Sequence, residues 1–261
     1  MSTVTLDAAP RRVAAPVSPP SLLRLTRVEL RKSHDTRAGR WLLITIGLAV
    51  VTVIALVLLL GHTPTSLSEH LALAQLPTAV LLPVLGILLV TSEWSQRTAM
   101  TTFALVPRRS RVLTAKVLAA SVLAVLGVVA TLATAVVAVV LTPLVTDDAM
   151  VWQVGADQLG QIVLFQLISV LSGVAFGMLL LSSPLAIVLY FVLPTVVTIL
   201  VSTVGGLDWL ADWLDLSTTT LPMSDGALEG QGWLQLATST ALWLGLPMAL
   251  GWLRIERAEI S

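Results

Sequence analysis

Residues 41–60 read WLLITIGLAVVTVIALVLLL, a run of twenty residues without a charged side chain. Each residue of an α-helix rises about 1.5 Å, and the hydrocarbon core of a bilayer is about 30 Å thick. About 20 apolar residues are therefore enough to cross a membrane, and this run predicts a transmembrane helix.

Five further stretches have the same character, and none of them contains Asp, Glu, Lys, Arg or His. They are residues 71–92, 117–142, 159–181, 185–204 and 233–253. Charged residues make up only 11% of the chain, whereas a soluble domain has about 25%. The predicted fold is an all-α integral membrane protein in which residues 41–253 form a six-helix transmembrane domain.

The basic residues predict how these helices are oriented. All fifteen Lys and Arg residues lie before residue 41, between 97 and 116, or after 253. The connections at 61–70, 143–158 and 205–232 contain acidic residues and no basic ones. Short loops rich in Lys and Arg stay in the cytoplasm. We therefore expect a plasma-membrane protein with both termini, including the tail at 254–261, on the cytoplasmic side.

The residues before the first span divide into two parts. Residues 1–20 are rich in Ala and Pro and lack the apolar core of a signal peptide, so a disordered tail is predicted. Residues 21–40 predict an amphipathic helix, since Arg24, Arg27 and Arg31 share one face and leucines cover the other. Such a helix lies along the inner membrane surface and binds anionic lipid headgroups. It serves either as a lipid anchor or as a docking helix for a partner.

A second amphipathic segment, residues 207–216, precedes the last span. Asp208, Asp212 and Asp215 fall on one face at helical spacing, and two tryptophans lie on the other. Because tryptophans prefer the membrane interface, a short external helix is predicted there. Its aspartates are interpreted as a solvated face, since exposed carboxylates without other ligands bind cations weakly.

The connection between spans two and three is the most distinctive loop, TSEWSQRTAMTTFALVPRRSRVLTAK at residues 91–116. We expect its first half to continue span two as a helix, with Glu93 and Arg97 paired four residues apart. Pro107 should end that helix, and Ser110 should cap the next one. Three arginines lie at the resulting tip: Arg108, Arg109 and Arg111. On charge alone they are interpreted as topology signals.

Several kinds of chemistry are missing from the sequence. It contains no cysteine and no HExxH motif, and its three histidines lie outside the predicted spans. It also lacks GxxxxGKS and GxxxxGKT, the loops that cradle ATP phosphates. We therefore predict no catalytic, cofactor-binding or metal-binding residues, no enzymatic activity of the chain itself, and no nucleic-acid partner.

The spans do carry uncharged polar residues, which suit the path of an uncharged or amphipathic solute. The same groups also join helices by hydrogen bonds. Small residues such as Gly173 and Gly177, spaced as GxxxG, allow helices to approach closely. We expect ordinary packing from this motif.

Three segments together resemble a known family. They are RVELRKSHDTR at 27–37, the loop quoted above, and LWLGLPMALGWLRIERAEI at 242–260. The chain resembles the permease subunits of type-2 ATP-binding-cassette (ABC) exporters of actinobacterial type, over roughly residues 21–261. In one departure, many such loops have Gly where this chain has Arg97, which could alter the turn.

The resemblance implies a second permease, either a copy or a paralogue, and two cytoplasmic ATPase subunits that hold the ATP. The loop between spans two and three and the helix before span one would transmit the ATPase motion. Residues matching that role are Glu93, Arg97, Pro107, Arg108, Arg109 and Arg111.

The resemblance also implies a solute path along spans one, two and five. The polar residues there are Gln75, Thr78, Thr195, Thr198 and Ser202. Two alternatives remain open. One is a non-transport scaffold or accessory subunit of another membrane complex. The other is a membrane-embedded lipid enzyme, which the missing acid–base residues disfavour.

Overall fold

The computed structural model describes residues 20–60, 66–106, 108–145 and 149–257. Except for Pro20, the tail predicted to be disordered lies outside these ranges. Pro107 and the last four residues of the predicted cytoplasmic tail also lie outside them.

The described residues form helices and no β-sheet. The shorter helices are α1 (Leu22–Asp35), α4 (Ala99–Leu105), α8 (Asp208–Leu214) and α9 (Leu216–Thr220). The long ones are α2 (Arg37–Leu59), α3 (Leu67–Ser95), α5 (Arg109–Val145), α6 (Ala156–Leu180) and α7 (Ser183–Thr203). The last span is α10 (Gly232–Thr240), a π-helical turn (Ala241–Gly245) and α11 (Leu246–Arg257).

Six of these elements are long and apolar enough to cross a membrane: α2, α3, α5, α6, α7 and the continuous stretch Gly232–Arg257. The prediction of an all-helical, multi-pass membrane protein is thereby confirmed. Each of the six begins before the corresponding predicted apolar stretch. Helices α2, α6 and α7 end one residue earlier than their stretches, and the other three extend beyond theirs.

Helices α3 and α6 form the centre of the bundle, and three glycines bring them together. A Cβ atom on Gly173 would lie only 2.3 Å from the backbone oxygen of Pro83. A Cβ on Gly86 would lie 2.7 Å from the backbone oxygen of Val170, and one on Gly177 would lie 3.2 Å from that of Ile87. The GxxxG motif therefore packs α6 against α3 within the chain.

All described Lys and Arg residues gather at one end of the bundle. We call this the basic end; it comprises α1, α4, the starts of α2 and α5, and the ends of α3 and α11. Hydrogen bonds from arginine side chains to backbone carbonyls join these parts. The Arg109 guanidinium donates to the Ile255 carbonyl at 2.8 Å, and the Arg111 guanidinium donates to the Pro20 carbonyl at 2.9 Å.

The segment before the first span differs from the sequence interpretation. Helix α1 ends at Asp35, and the extended Thr36 caps α2 by accepting a hydrogen bond from the Gly39 amide at 3.2 Å. The helix predicted over 21–40 is therefore present, but it ends at Asp35, and its last residues belong to α2. The side of α1 that packs on the protein is polar: its buried residues are Thr26, Glu29 and Ser33.

The helix before the last span is also interrupted, because Asp215 ends α8 and begins α9. The Asp215 side chain is fully buried and accepts hydrogen bonds from the Ser217 amide at 3.1 Å and from the hydroxyls of Thr198 at 2.9 Å and Thr218 at 2.7 Å. Its predicted position on a solvated face with Asp208 and Asp212 is therefore wrong. Helical spacing does not apply across the break.

Candidate functional site

Four charged side chains form a closed ring at the basic end. The Lys32 ammonium lies 2.7 Å from the Glu29 carboxylate and 2.6 Å from that of Glu93. The Lys116 ammonium lies 2.7 Å from Glu29 and 3.3 Å from Glu93. Each cation thus contacts both anions, and the four formal charges cancel. We call this set the ion cluster.

Three of the four members of the ion cluster are deeply buried, and the cluster joins four helices. Lys116 is 2% exposed, and Glu29 and Glu93 are about as deeply buried. Its members come from α1, α3 and α5, and α4 is attached because the Thr102 hydroxyl donates to Glu93 at 3.2 Å. Lys116 also donates to the Leu89 carbonyl at 2.8 Å. Burying an unpaired charge costs several kcal/mol, so these helices depend on one another.

The predicted pair between Glu93 and Arg97 is wrong. Glu93 turns into the protein, toward Lys32 and Lys116, whereas Arg97 is exposed. An exposed pair four residues apart contributes only tenths of a kcal/mol, so it cannot compete with this buried arrangement. One sequence signal could have found the cluster: Lys32 and Lys116 are the only lysines of the chain, among thirteen arginines.

Lys32 is the most accessible member of the ion cluster. Its partial burial acts to lower the pKa of the ammonium, but the carboxylates of Glu29 and Glu93 outweigh that effect. The pKa of Lys32 is consequently raised above its ordinary value. The side chain therefore stays charged throughout the physiological pH range.

Helix α3 continues span two into the loop only as far as Ser95, where a tight turn separates it from α4. Arg97 adopts φ 56°, in the left-handed region. Its amide donates to the Trp94 carbonyl at 3.2 Å, and the Thr98 amide donates to the Glu93 carbonyl at 2.9 Å. These two bonds are those of a Schellman motif, whose left-handed residue is usually Gly. The departure noted at this position in the sequence thus lies at the turn itself.

Arg97→Gly is expected to stabilise the protein by about 1 kcal/mol, since Gly adopts the left-handed conformation without strain. Arg97→Ala removes the same charge and keeps the strain, so it serves as the matched control. The check is the unfolding midpoint of the purified variants in detergent. Equal midpoints for the Gly and Ala variants would contradict this interpretation.

The three arginines at the predicted tip have different surroundings. Arg109 lies over the Phe103 ring at 5.3 Å and holds the end of α11 through the carbonyls of Ile255 and Glu256. Arg111 holds Pro20, as described above, while Arg108 is exposed. Ser110 lies inside the first turn of α5 and does not cap it, because α5 begins at Arg109.

The residues predicted along the solute path separate into two groups. Gln75 and Thr195 line a cavity of about 400 Å³ between α3, α6, α7 and the α9 region. Thr78 is buried within the bundle, and Ser202 is exposed near the end of α7. Thr198 hydrogen-bonds Asp215. The path implied by the resemblance runs along spans one, two and five, so it leaves out the α6 contribution to this cavity, which includes the polar residues Ser169 and Ser172.

Comparison with known proteins adds no relative: no protein-family model and no curated protein matches this chain. The functional interpretation therefore depends on the residues and geometry described above.

Proposed function

We propose that this chain is the permease subunit of a type-2 ABC exporter in the plasma membrane. The observation that carries the proposal is the ion cluster. It joins the helix before the first span to α3, α4 and α5, the elements around the loop between the second and third spans. Those are the parts that, by resemblance, receive the motion of an ATPase.

The basic end would carry that motion from α4 into the membrane. A force on α4 reaches α3 and α5 through Thr102, Glu93 and Lys116, and it reaches α1 through Glu29. Since buried ion pairs are held in fixed geometry, the four helices move as a unit rather than separately. Arg97 and Arg108 are exposed at this end and suit an acidic or polar partner surface.

A separate ATPase supplies the energy under this proposal. The sequence has no phosphate-binding loop, so ATP would be held by a cytoplasmic subunit. The second permease, a copy or a paralogue, would pack against a weakly buried span. Helix α7 fits, because only 11% of its most apolar stretch is buried within the chain.

Under this proposal the basic end and helix α8 lie at opposite membrane surfaces. The basic end would face the cytoplasm, with α1 along the inner surface and its exposed Leu23 and Val28 toward lipid. Helix α8, with Trp209 60% exposed, would lie at the outer surface.

Orientation provides the test of this proposal, because a cytoplasmic ATPase can meet α4 only if the basic end is inside. The chain has no cysteine, so single cysteines report without background. In intact cells, a membrane-impermeant thiol reagent is expected to label Met150→Cys and to label Arg108→Cys only after permeabilisation. Both positions are exposed. Labelling of Arg108→Cys in intact cells would exclude the proposed coupling.

A further inference from the structure

The cavity between α3, α6 and α7 is large enough for a small molecule. Its volume of about 400 Å³ lies within the range of about 300–1,000 Å³ typical of ligand sites. Residues of α3, α6, α7 and α9 line it. Leu76 and Leu221 line it and are 59% and 73% exposed, so they mark its mouth. An apolar mouth favours entry from the membrane.

Aromatic side chains are concentrated around this cavity. Phe165, Phe176 and Phe191 line it, and they are three of the four phenylalanines in the chain. The single tyrosine, Tyr190, also lines it and packs edge-on against Phe176, with ring centroids 5.9 Å apart. Trp243 adds a fifth ring. Rings arranged in this way offer faces and edges to another aromatic group.

One polar group in the lining has no partner. The Ser172 hydroxyl is buried, with 1% of the residue exposed, and has no hydrogen-bond partner among the described residues. By contrast, lining hydroxyls such as those of Thr195 and Thr220 donate to backbone carbonyls of their own helices. A buried hydroxyl without a partner is costly, so Ser172 is available to a ligand.

The electrostatics of the cavity exclude an anion. None of the described residues that line it is charged. The buried Asp215 carboxylate accepts a hydrogen bond from the amide of the lining residue Ser217. The described Lys and Arg residues are at the basic end. A negatively charged ligand would therefore lose its hydration without gaining a cation.

We propose that this cavity binds an uncharged aromatic amphiphile, with its rings among Phe165, Phe176 and Phe191 and a hydrogen-bonding group at Ser172. Identifying that ligand class with the exported cargo rests on the proposed function. The binding itself does not, since it needs neither ATP nor a partner subunit.

Two fluorescent probes test the proposal because they share one aromatic skeleton. N-phenylnaphthylamine is uncharged, and anilinonaphthalene sulfonate carries one negative charge. Binding to the full chain in lipid nanodiscs is measured by energy transfer from tryptophan, after subtraction of empty nanodiscs. We expect saturable binding of N-phenylnaphthylamine at one site per chain and binding of the sulfonate at least about tenfold weaker.

Three variants locate the site. Ala72 of α3 lines the cavity, whereas Ala130 of α5 is exposed and lies outside the lining. Ala72→Phe should abolish saturable binding by filling the space, while the matched control Ala130→Phe should retain it. Ser172→Ala should weaken binding about fivefold, as expected for one lost hydrogen bond. It removes only one oxygen, so folding is not at risk.

Four results would overturn the proposal: no saturable binding by the native chain, equal binding of the two probes, unchanged binding in Ser172→Ala, or displacement by oleyl alcohol but not by an uncharged naphthol. The last result would identify an acyl-chain site. If no ATPase subunit is found, the proposed function fails but the binding proposal is unaffected. If the probe does not bind, the binding proposal fails but the proposed coupling to an ATPase is unaffected.

Discussion

Lys116→Met is expected to lower the free energy of unfolding by about 3–5 kcal/mol, the usual effect of removing one partner from a buried ion pair. The substitution leaves Lys32 alone against the carboxylates of Glu29 and Glu93, and both carboxylates are buried. Methionine fills much of the lysine volume, so lost charge rather than lost packing causes the effect. Unfolding in detergent with increasing sodium dodecyl sulfate, followed by tryptophan fluorescence, measures the loss.

Two comparisons separate the ion cluster from charge in general. Arg108→Met removes a cation from the same end of the bundle, but Arg108 is exposed, so a change of less than about 0.5 kcal/mol is expected. Adding Glu29→Gln to Lys116→Met restores a neutral pair of Lys32 and Glu93 and should recover part of the stability. If Lys116→Met unfolds like the native chain, the ion cluster does not hold α1, α3, α4 and α5 together.

Gly173→Ala is expected to destabilise the bundle by about 1–3 kcal/mol, because the new methyl group would clash with backbone atoms rather than with a movable side chain. It would lie 2.3 Å from the Pro83 oxygen and 3.0 Å from its carbonyl carbon. Helices α3 and α6 would have to separate, and they form the centre of the fold. The better helix propensity of Ala returns only about 1 kcal/mol, so the clash wins.

Gly160→Ala provides the matched control on the same helix. A Cβ at Gly160 would have no atom of the described residues within 4 Å, so that variant should gain stability through helix propensity alone. The two alanine variants should therefore shift the unfolding midpoint in opposite directions. A shift in the same direction for both would mean that the close α3–α6 contact is not important for stability.

The spans could be predicted from sequence because their signal is local. Twenty apolar residues in a row require a membrane or a large core, whatever the rest of the chain does. The small-residue motif at Gly173 and Gly177 was likewise sufficient to predict close packing, though not to identify Pro83 and Ile87 of α3 as its neighbours.

Contacts between residues that are distant in sequence could not be predicted in this way. Glu93 pairs with Lys32, which lies 61 residues earlier, and burial there outweighs the local pairing with Arg97. Asp215 is buried, and Thr198 of another helix donates a hydrogen bond to its carboxylate. The spacing of the aspartates along the chain cannot predict this contact. The cavity was predicted in part: Gln75 and Thr195 line it, whereas Ser172 belongs to a span that was not assigned to the path.

Purification of the full chain from the cells that encode it, in mild detergent, tests the central claim most directly. We expect an ABC ATPase subunit to co-purify in equal amount and the complex to hydrolyse ATP. The chain alone should neither bind nor hydrolyse ATP, since it has no phosphate-binding loop. A homogeneous chain that purifies without an ATPase subunit, or that by itself binds ATP with micromolar affinity, would contradict the account.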